Sequence, residues 1–239
     1  MEKLNNKELL EAGAHFGHLK RKWNPKMQPY IFAEHKGIHL IDLNRTIENA
    51  EKAALALKQI ALRGGKIMFV ATKKQARDIV KQAAMSVSMP FVTERWLGGM
   101  MTNFSTVKRS VKKMQNLDSL LNDENVTNIT KKERMMMTRE RDRIEKVLGG
   151  VANLTGRAAA VFIVDIGHEH IALKESKRLG IRTFGMVDTN CDPNSVDFAI
   201  PGNDDSSKSI ALITQYVTSA IKEGLEEREK QKSAPAKEA

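Results

Sequence analysis

Ala158-Ala159-Ala160-Val161-Phe162-Ile163-Val164-Asp165-Ile166 is a nearly unbroken apolar run that ends on an aspartate. It is too short for a buried helix and reads as a buried strand. Glu169 to Leu179 follows at helical spacing and stops at Gly180. Ile181 to Val187 reads as a second strand, again closed by an aspartate, Asp188. Pro193 breaks the chain, Val196 to Ile200 reads as a third short strand, and Ser206 to about Gly224 as a helix. Continuous apolar strands separated by helices need both sheet faces covered, so they imply a mainly parallel sheet with right-handed crossovers. The expected fold is α/β, doubly wound and flavodoxin- or Rossmann-like.

Working toward the N-terminus, Lys66 to Ala71 is another apolar strand, with Thr72 as a helix cap and Lys73 to Met85 as the helix. Pro90-Phe91-Val92 begins a further strand. Ahead of Gly64-Gly65, the residues Ile47, Ala50, Ala54, Leu57 and Ile60 recur at helical spacing, capped by Asn44 or Thr46. Between the two α/β parts the pattern changes. Val107, Val111, Met114, Leu117 and Leu121 form one apolar seam. Asn122 to Asn128 is polar and turn-rich, and Thr130 with Glu133 is a capping-box signal. Met137, Ile144, Val147, Val151 and Leu154 form a second seam. Two such helices make an inserted antiparallel helical hairpin, a short coiled coil. The expected units are residues 1–105, the first α/β part with a basic N-terminal extension; 106–154, the hairpin; 155–225, the second α/β part; and 226–239, a flexible charged tail.

Composition narrows the function. The 239 residues carry a net charge of +10 and are 41% hydrophobic, so a real core forms and the partner is a polyanion, nucleic acid before membrane surface. The single cysteine, Cys191, excludes a disulfide framework and reads as a small buried residue. No run approaches the roughly 18 apolar residues of a membrane span, and Met1 to Asn6 lacks an apolar signal core. A cytoplasmic protein without a membrane partner is expected. There is no P-loop, no Gly-x-Gly-x-x-Gly, no nucleophile elbow and no His-Glu-x-x-His, so no catalytic residue is assigned.

The cations are placed for RNA. Gly17 to Lys26 combines His18, Lys20, Arg21, Lys22 and Lys26 with Trp23 and Asn24, that is, charge for phosphate, a stacking face and an amide. Lys73 and Lys74 sit at a strand-to-helix turn, where helix N-termini favour anions. In Glu94 to Phe104, Gly98-Gly99 suggests a backbone that something approaches closely, either RNA or the packed hairpin. Trp96 there reads as core, and Arg95 and Asn103 as contacts. The hairpin adds Lys108, Arg109, Lys112 and Lys113. His168 and His170 read as ordinary surface residues. Asp165, Asp188, Asp204 and Asp205 fall at or beyond strand ends, where open α/β sheets bind ligands. With His39, the last three could hold a structural divalent cation, magnesium on oxygen ligands or zinc if the histidine joins. The competing reading is that they are turn residues and caps. No cofactor is required.

Six stretches together resemble the bacterial small-subunit ribosomal protein two family. They are Ala12 to His18, Trp23 to Met27, Gly37 to Leu43, Trp96 to Gly99, Val187 to Pro193 and Ile200 to Asp205. They stand in family order across about residues 5 to 225. Leu19 to Lys22 and Met101 depart slightly from the pattern. The resemblance implies a non-catalytic constituent of the small ribosomal subunit, with no small-molecule substrate. It implies a place between head and body, contact with ribosomal RNA and neighbouring small-subunit proteins, and help in docking the large first protein of that subunit. It also implies a metal near Asp188, Asp204, Asp205 and His39. The rival reading is a metal-dependent phosphoesterase or nucleotide-binding enzyme on the same fold, since fold alone permits either.

Overall fold

The computed structural model describes residues 4–123 and 130–233. A short helix α1 (Asn6–Glu11) leads into three antiparallel strands, β1 (Phe16–Leu19), β2 (Ile31–His35) and β3 (Ile38–Ile41), in the order β1-β3-β2. Helix α2 (Leu43–Leu62) then leads to β4 (Ile67–Val70), α3 (Arg77–Ser86) and β5 (Phe91–Val92). Helices α4 (Phe104–Asn122) and α5 (Lys131–Leu148) stand next, followed by β6 (Ala160–Val164), α6 (His170–Arg178), β7 (Arg182–Val187), β8 (Phe198–Pro201) and α7 (Ser207–Ser233). Strands β4 to β8 form one wholly parallel sheet in the order β5-β4-β6-β7-β8. This is the doubly wound α/β fold that the apolar runs imply.

The strand alternation sorts side chains into two cores. Ile67 and Phe69 of β4, Ala160, Phe162 and Val164 of β6, and Phe184 and Met186 of β7 point into a core closed by α2, α3 and α7. Met68, Val70, Val161, Ile163 and Val187 point into the other, closed by α6 and the roots of α4 and α5. Successive residues of a strand face opposite sides, so near-continuous apolar sequence is the signature of a strand buried on both. One row crosses the entire sheet: Phe91, Phe69, Phe162, Phe184 and Phe198 are register partners on five adjacent strands. Phe184 and Phe198 stack with centroids 4.5 Å apart, and Phe69 meets Phe162 edge-on at 5.5 Å.

Three local readings change. Thr72 does not cap a helix; α3 begins at Arg77 after a turn, and Thr72 donates from its backbone N and its Oγ1 to Glu169 Oε1 instead. The cap of α2 is Asp42, whose Oδ1 accepts from Asn44 N. The tail expected from residue 226 is helical as far as Ser233. Lys58 pairs there with Glu227 at 2.7 Å, and the Arg228 guanidinium lies over Gly64, so packing against α2 extends α7. Residues 234–239 and the turn-rich stretch expected between the hairpin helices lie outside the described residues, except for Asn122 and Asp123.

Phe162 is fully buried in the middle of the phenylalanine row. Phe162→Ala is expected to cost about 3–5 kcal/mol, the range for a large buried aromatic, read as a drop in the denaturant midpoint with little change in slope.

Candidate nucleic-acid interface

Sheet order reverses between β4 and β6, and the carboxyl ends of those strands form the crevice where folds of this kind take ligands. Here the crevice is filled from within. Lys73 Nζ lies 3.1 Å from Asp165 Oδ2, 2.8 Å from Asp204 Oδ1 and 2.6 Å from Asp205 Oδ1. Asp165 holds a left-handed backbone, φ 63°, and its Oδ1 accepts from Gly167 N and His168 N. Glu169, at the start of α6, takes the two Thr72 donors and places a carboxylate where a phosphate would sit. His18 closes the cluster from β1, with Nδ1 3.0 Å from Asp188 Oδ2 and Nε2 3.6 Å from Asp205 Oδ2.

The electrostatics follow from four carboxylates around one ammonium and one imidazole. Burial pulls the Lys73 ammonium down, but its hydrogen bonds to Asp204 and Asp205 more than offset this, and its pKa is raised. Burial, then the charges of Asp165 and Asp188, pushes Asp204 up to about 7. Asp205 is held below its ordinary value chiefly by Lys73. The contact with Asp188 raises His18 against the opposing effect of burial. Burial and the neighbouring carboxylates push the Cys191 thiol up to about 12, so it is no nucleophile.

Of the proposed metal set, Asp188, Asp204 and Asp205 gather in one cluster, and among the described residues His39 makes no hydrogen bond to them. His39 is buried with its ring tilted against Trp23 at 5.0 Å, and the imidazole beside Asp188 and Asp205 is that of His18. Among the described residues no group of three or more His, Cys, Asp or Glu side chains is arranged to hold a metal ion. The Lys73 ammonium takes the centre of the carboxylates, and the residues as placed do not fit a cation there.

The expected RNA contacts divide into two classes. Some are used internally. His18 and Lys73 belong to the cluster just described. Lys20 pairs with Glu34 at 2.7 Å, and Lys26 with Asp192 at 2.6 Å. Lys113 pairs with Glu140, and Lys108 donates to Thr155 O at 2.6 Å. Asn24 Oδ1 accepts from Lys26 N, Asn103 Oδ1 accepts from Ser105 and Thr106, and Trp23 is half-buried against His39. The others, Arg21, Lys22, Lys74, Arg95, Arg109 and Lys112, are exposed and, among the described residues, carry no ion pair. Three separate parts of the surface therefore offer cations without an ion pair: the turn after β1, where Lys22 also helps to lower the Asp205 carboxyl, the turn before α3, and the loop leading into α4 with the root of that helix.

Sequence reasoning missed Glu175. Only 8% exposed on α6, it accepts from Trp96 Nε1 and Gly99 N on one oxygen, and from Met101 N, Thr102 N and Thr102 Oγ1 on the other. Burial alone would raise its pKa; these donors outweigh that and lower it. One carboxylate thus shapes the whole 96–102 loop that leads into α4. The usable signal was the run of turn N–H groups around the glycines, which needed an acceptor from elsewhere.

Residues 9–224 match the family model for ribosomal protein S2. The small ribosomal subunit protein uS2 of Cytophaga hutchinsonii is 54% identical over 231 residues, covering 97% of this chain and 91% of that protein. Its counterpart in Bacteroides thetaiotaomicron is 53% identical, with coverage of 97% and 84%. That of Flavobacterium johnsoniae is 52% identical, with coverage of 99% and 93%.

The Asp204 shift has a definite sign. A carboxyl raised to about 7 in the fold binds a proton there that the unfolded chain has already lost. Its contribution to stability is therefore full below the unfolded value and falls away as pH rises toward 7. The raised His18 acts in the same direction, its contribution fading above its unfolded value of 6.5. Asp204→Asn is expected to lose less stability than the parent between pH 5 and pH 7.5, measured by denaturant melts at each pH. Parallel pH curves for the two proteins would contradict the assignment.

Proposed function

The chain belongs to the ribosomal protein S2 family, and we propose that it bridges head and body of the small subunit through distributed phosphate contacts while presenting an apolar face to a further protein. It is a structural constituent of the small ribosomal subunit and not an enzyme. It is associated with the ribosome, its RNA and its proteins.

The observation that carries the proposal is the division of the cations. Charge that could have activated a substrate in the crevice is neutralised there by Lys73 and His18. Arg21, Lys22, Lys74, Arg95, Arg109 and Lys112 remain on the outside, on separate parts of the surface. Scattered unpaired cations suit a folded polyanion read by shape, where each phosphate contact adds a little and releases a counterion. The phosphoesterase reading has no such support: the switch-point crevice holds an internal ammonium and an internal carboxylate where a phosphate would go.

The protein-docking part rests on the N-terminal layer. Phe32 is 77% exposed and Phe16 47%, on a sheet that also exposes Leu19, Glu34 and His35 and buries His39 and Ile41. A groove of about 310 Å³ beside Phe32 is lined by Leu10, His15, Leu40 and Leu43. Exposed aromatics beside an apolar groove favour a protein over a phosphate backbone. We take the occupant to be the large, RNA-binding first protein of the subunit. No described helix is long and apolar enough to cross a membrane, and a place in the bacterial cytoplasm goes with the ribosomal role.

Sedimentation of native extract tests the role directly. The protein is expected to travel with the small subunit at low salt and to be released as salt rises; recovery only in light fractions at both salts would overturn it. Replacing Arg21 and Lys22 together by Ala is expected to leave the melting temperature unchanged. It should also reduce the slope of log K for RNA binding against log salt by roughly one per lost phosphate contact. The same change at Lys20 and Lys26, which are internally paired, should affect it less.

A further inference from the structure

We propose that the exposed turn Arg95–Gly98, shaped from behind by Glu175, is a docking face for an RNA sugar–phosphate backbone. The proposal rests on the ribosomal reading above and narrows it to one surface.

Gly98 is the starting point, because the fold gives no reason for it to be glycine. A Cβ at Gly150 would meet Phe91 O at 2.2 Å, and one at Gly224 would meet Lys58 O at 2.5 Å, so packing demands those glycines. Gly99 holds φ +88°, so its backbone demands one. Gly98 is exposed, its backbone lies outside the left-handed region, and a Cβ there would meet nothing within 4 Å. Glycine at such a position weakens the fold relative to alanine through the freedom of the unfolded chain. A surface laid directly against the backbone is what a missing side chain would serve.

The chemistry around Gly98 selects the occupant. Arg95 is exposed and, among the described residues, unpaired. Among the described residues the backbone N–H groups of Leu97 and Gly98 donate to nothing. The two nearby carboxylates are both spent. Glu94 lies 3.9 Å from Arg77 and 3.6 Å from Lys146, and Glu175 is buried under its five donors. The turn therefore presents two unengaged N–H donors and a guanidinium, while Glu94 faces Arg77 and Lys146. Leu97, 38% exposed, adds a small apolar contact of the size of a ribose. A phosphodiester backbone supplies the acceptors, the charge and the close approach together.

The test is rebinding of purified protein to small subunits stripped of it by high salt. Gly98→Gln is expected to melt at or slightly above the parent and to rebind on the order of tenfold more weakly, with Gly98→Ala rebinding between the two and Arg95→Ala comparably weakened. Equal rebinding of Gly98→Gln and parent would overturn the inference and leave the ribosomal reading intact; failure of the parent itself to rebind would instead strike that reading. A photo-reactive residue in place of Leu97, used in assembled subunits, is expected to label ribosomal RNA. An adduct confined to a protein, or no adduct at all, would overturn the assignment even if Gly98→Gln failed to fold.

Discussion

The junction of three carboxylates on the Lys73 ammonium holds together parts of the chain that share no sequence neighbourhood. Lys73 follows β4, Asp165 follows β6, and Asp204 and Asp205 follow β8. Through His18 the same charges reach β1, and so the antiparallel layer of the first forty residues. Backbone contacts repeat the connection: Asn203 N donates to Ala14 O, Asn24 N to Thr189 O, and His18 N to Thr189 Oγ1. Removing one member of a buried, hydrogen-bonded charge group strands the rest, typically at about 3–5 kcal/mol. The cluster therefore fixes how the N-terminal layer sits on the parallel sheet.

That junction also decides what the molecule can do. A parallel sheet concentrates helix N-termini and strand ends at one edge, which is why such folds so often bind phosphates there. In this chain the charges of that edge pair largely with one another, with Asp204 Oδ2 left without a hydrogen-bond partner among the described residues, and the N-terminal layer lies across it. Function moves to the outer surface, where single cations stand apart from one another. A binding surface of that kind gains affinity by many weak contacts and depends on the fold mainly for spacing. The rigid double core supplies the spacing.

The parallel sheet was legible because both of its faces are buried. Ala158 to Val164, Phe184 to Val187 and Ile67 to Ala71 carry no charged or hydroxyl side chain, and few other structures need that. The N-terminal layer was not legible, because β1 is partly exposed and its pairing with β3 shifts register between Phe16 and Leu19. The row of five phenylalanines depends on register between strands that no spacing encodes. The site was half visible. The aspartates after the strands marked the crevice, but their counter-ion comes from residues 92 and 131 positions away, so a lysine read as a phosphate contact proved to be internal. Glu175 was hidden for the same reason, being paired with a loop more than seventy residues earlier.

The helical pair shows what the fold leaves to a partner. At its root Val107, Val111, Leu148, Val151 and Leu154 enter the second core, and Gly150 lies tight against Phe91 O. Further out, α4 buries only Leu117, and Lys131 to Arg143 of α5 buries nothing fully. Met135 and Met136 stand 49% and 59% exposed there. Local devices hold this outer half: the capping box of Thr130 and Glu133, the Lys113–Glu140 pair, and Arg134 donating to Leu121 O. Each such device is exposed to solvent and contributes little. The root is therefore fixed by the core, while the outer half is only marginally stable by itself. Arg139 and Arg143 are exposed on that outer half, so an anionic partner there would stabilise the outer helices through the charge they already carry.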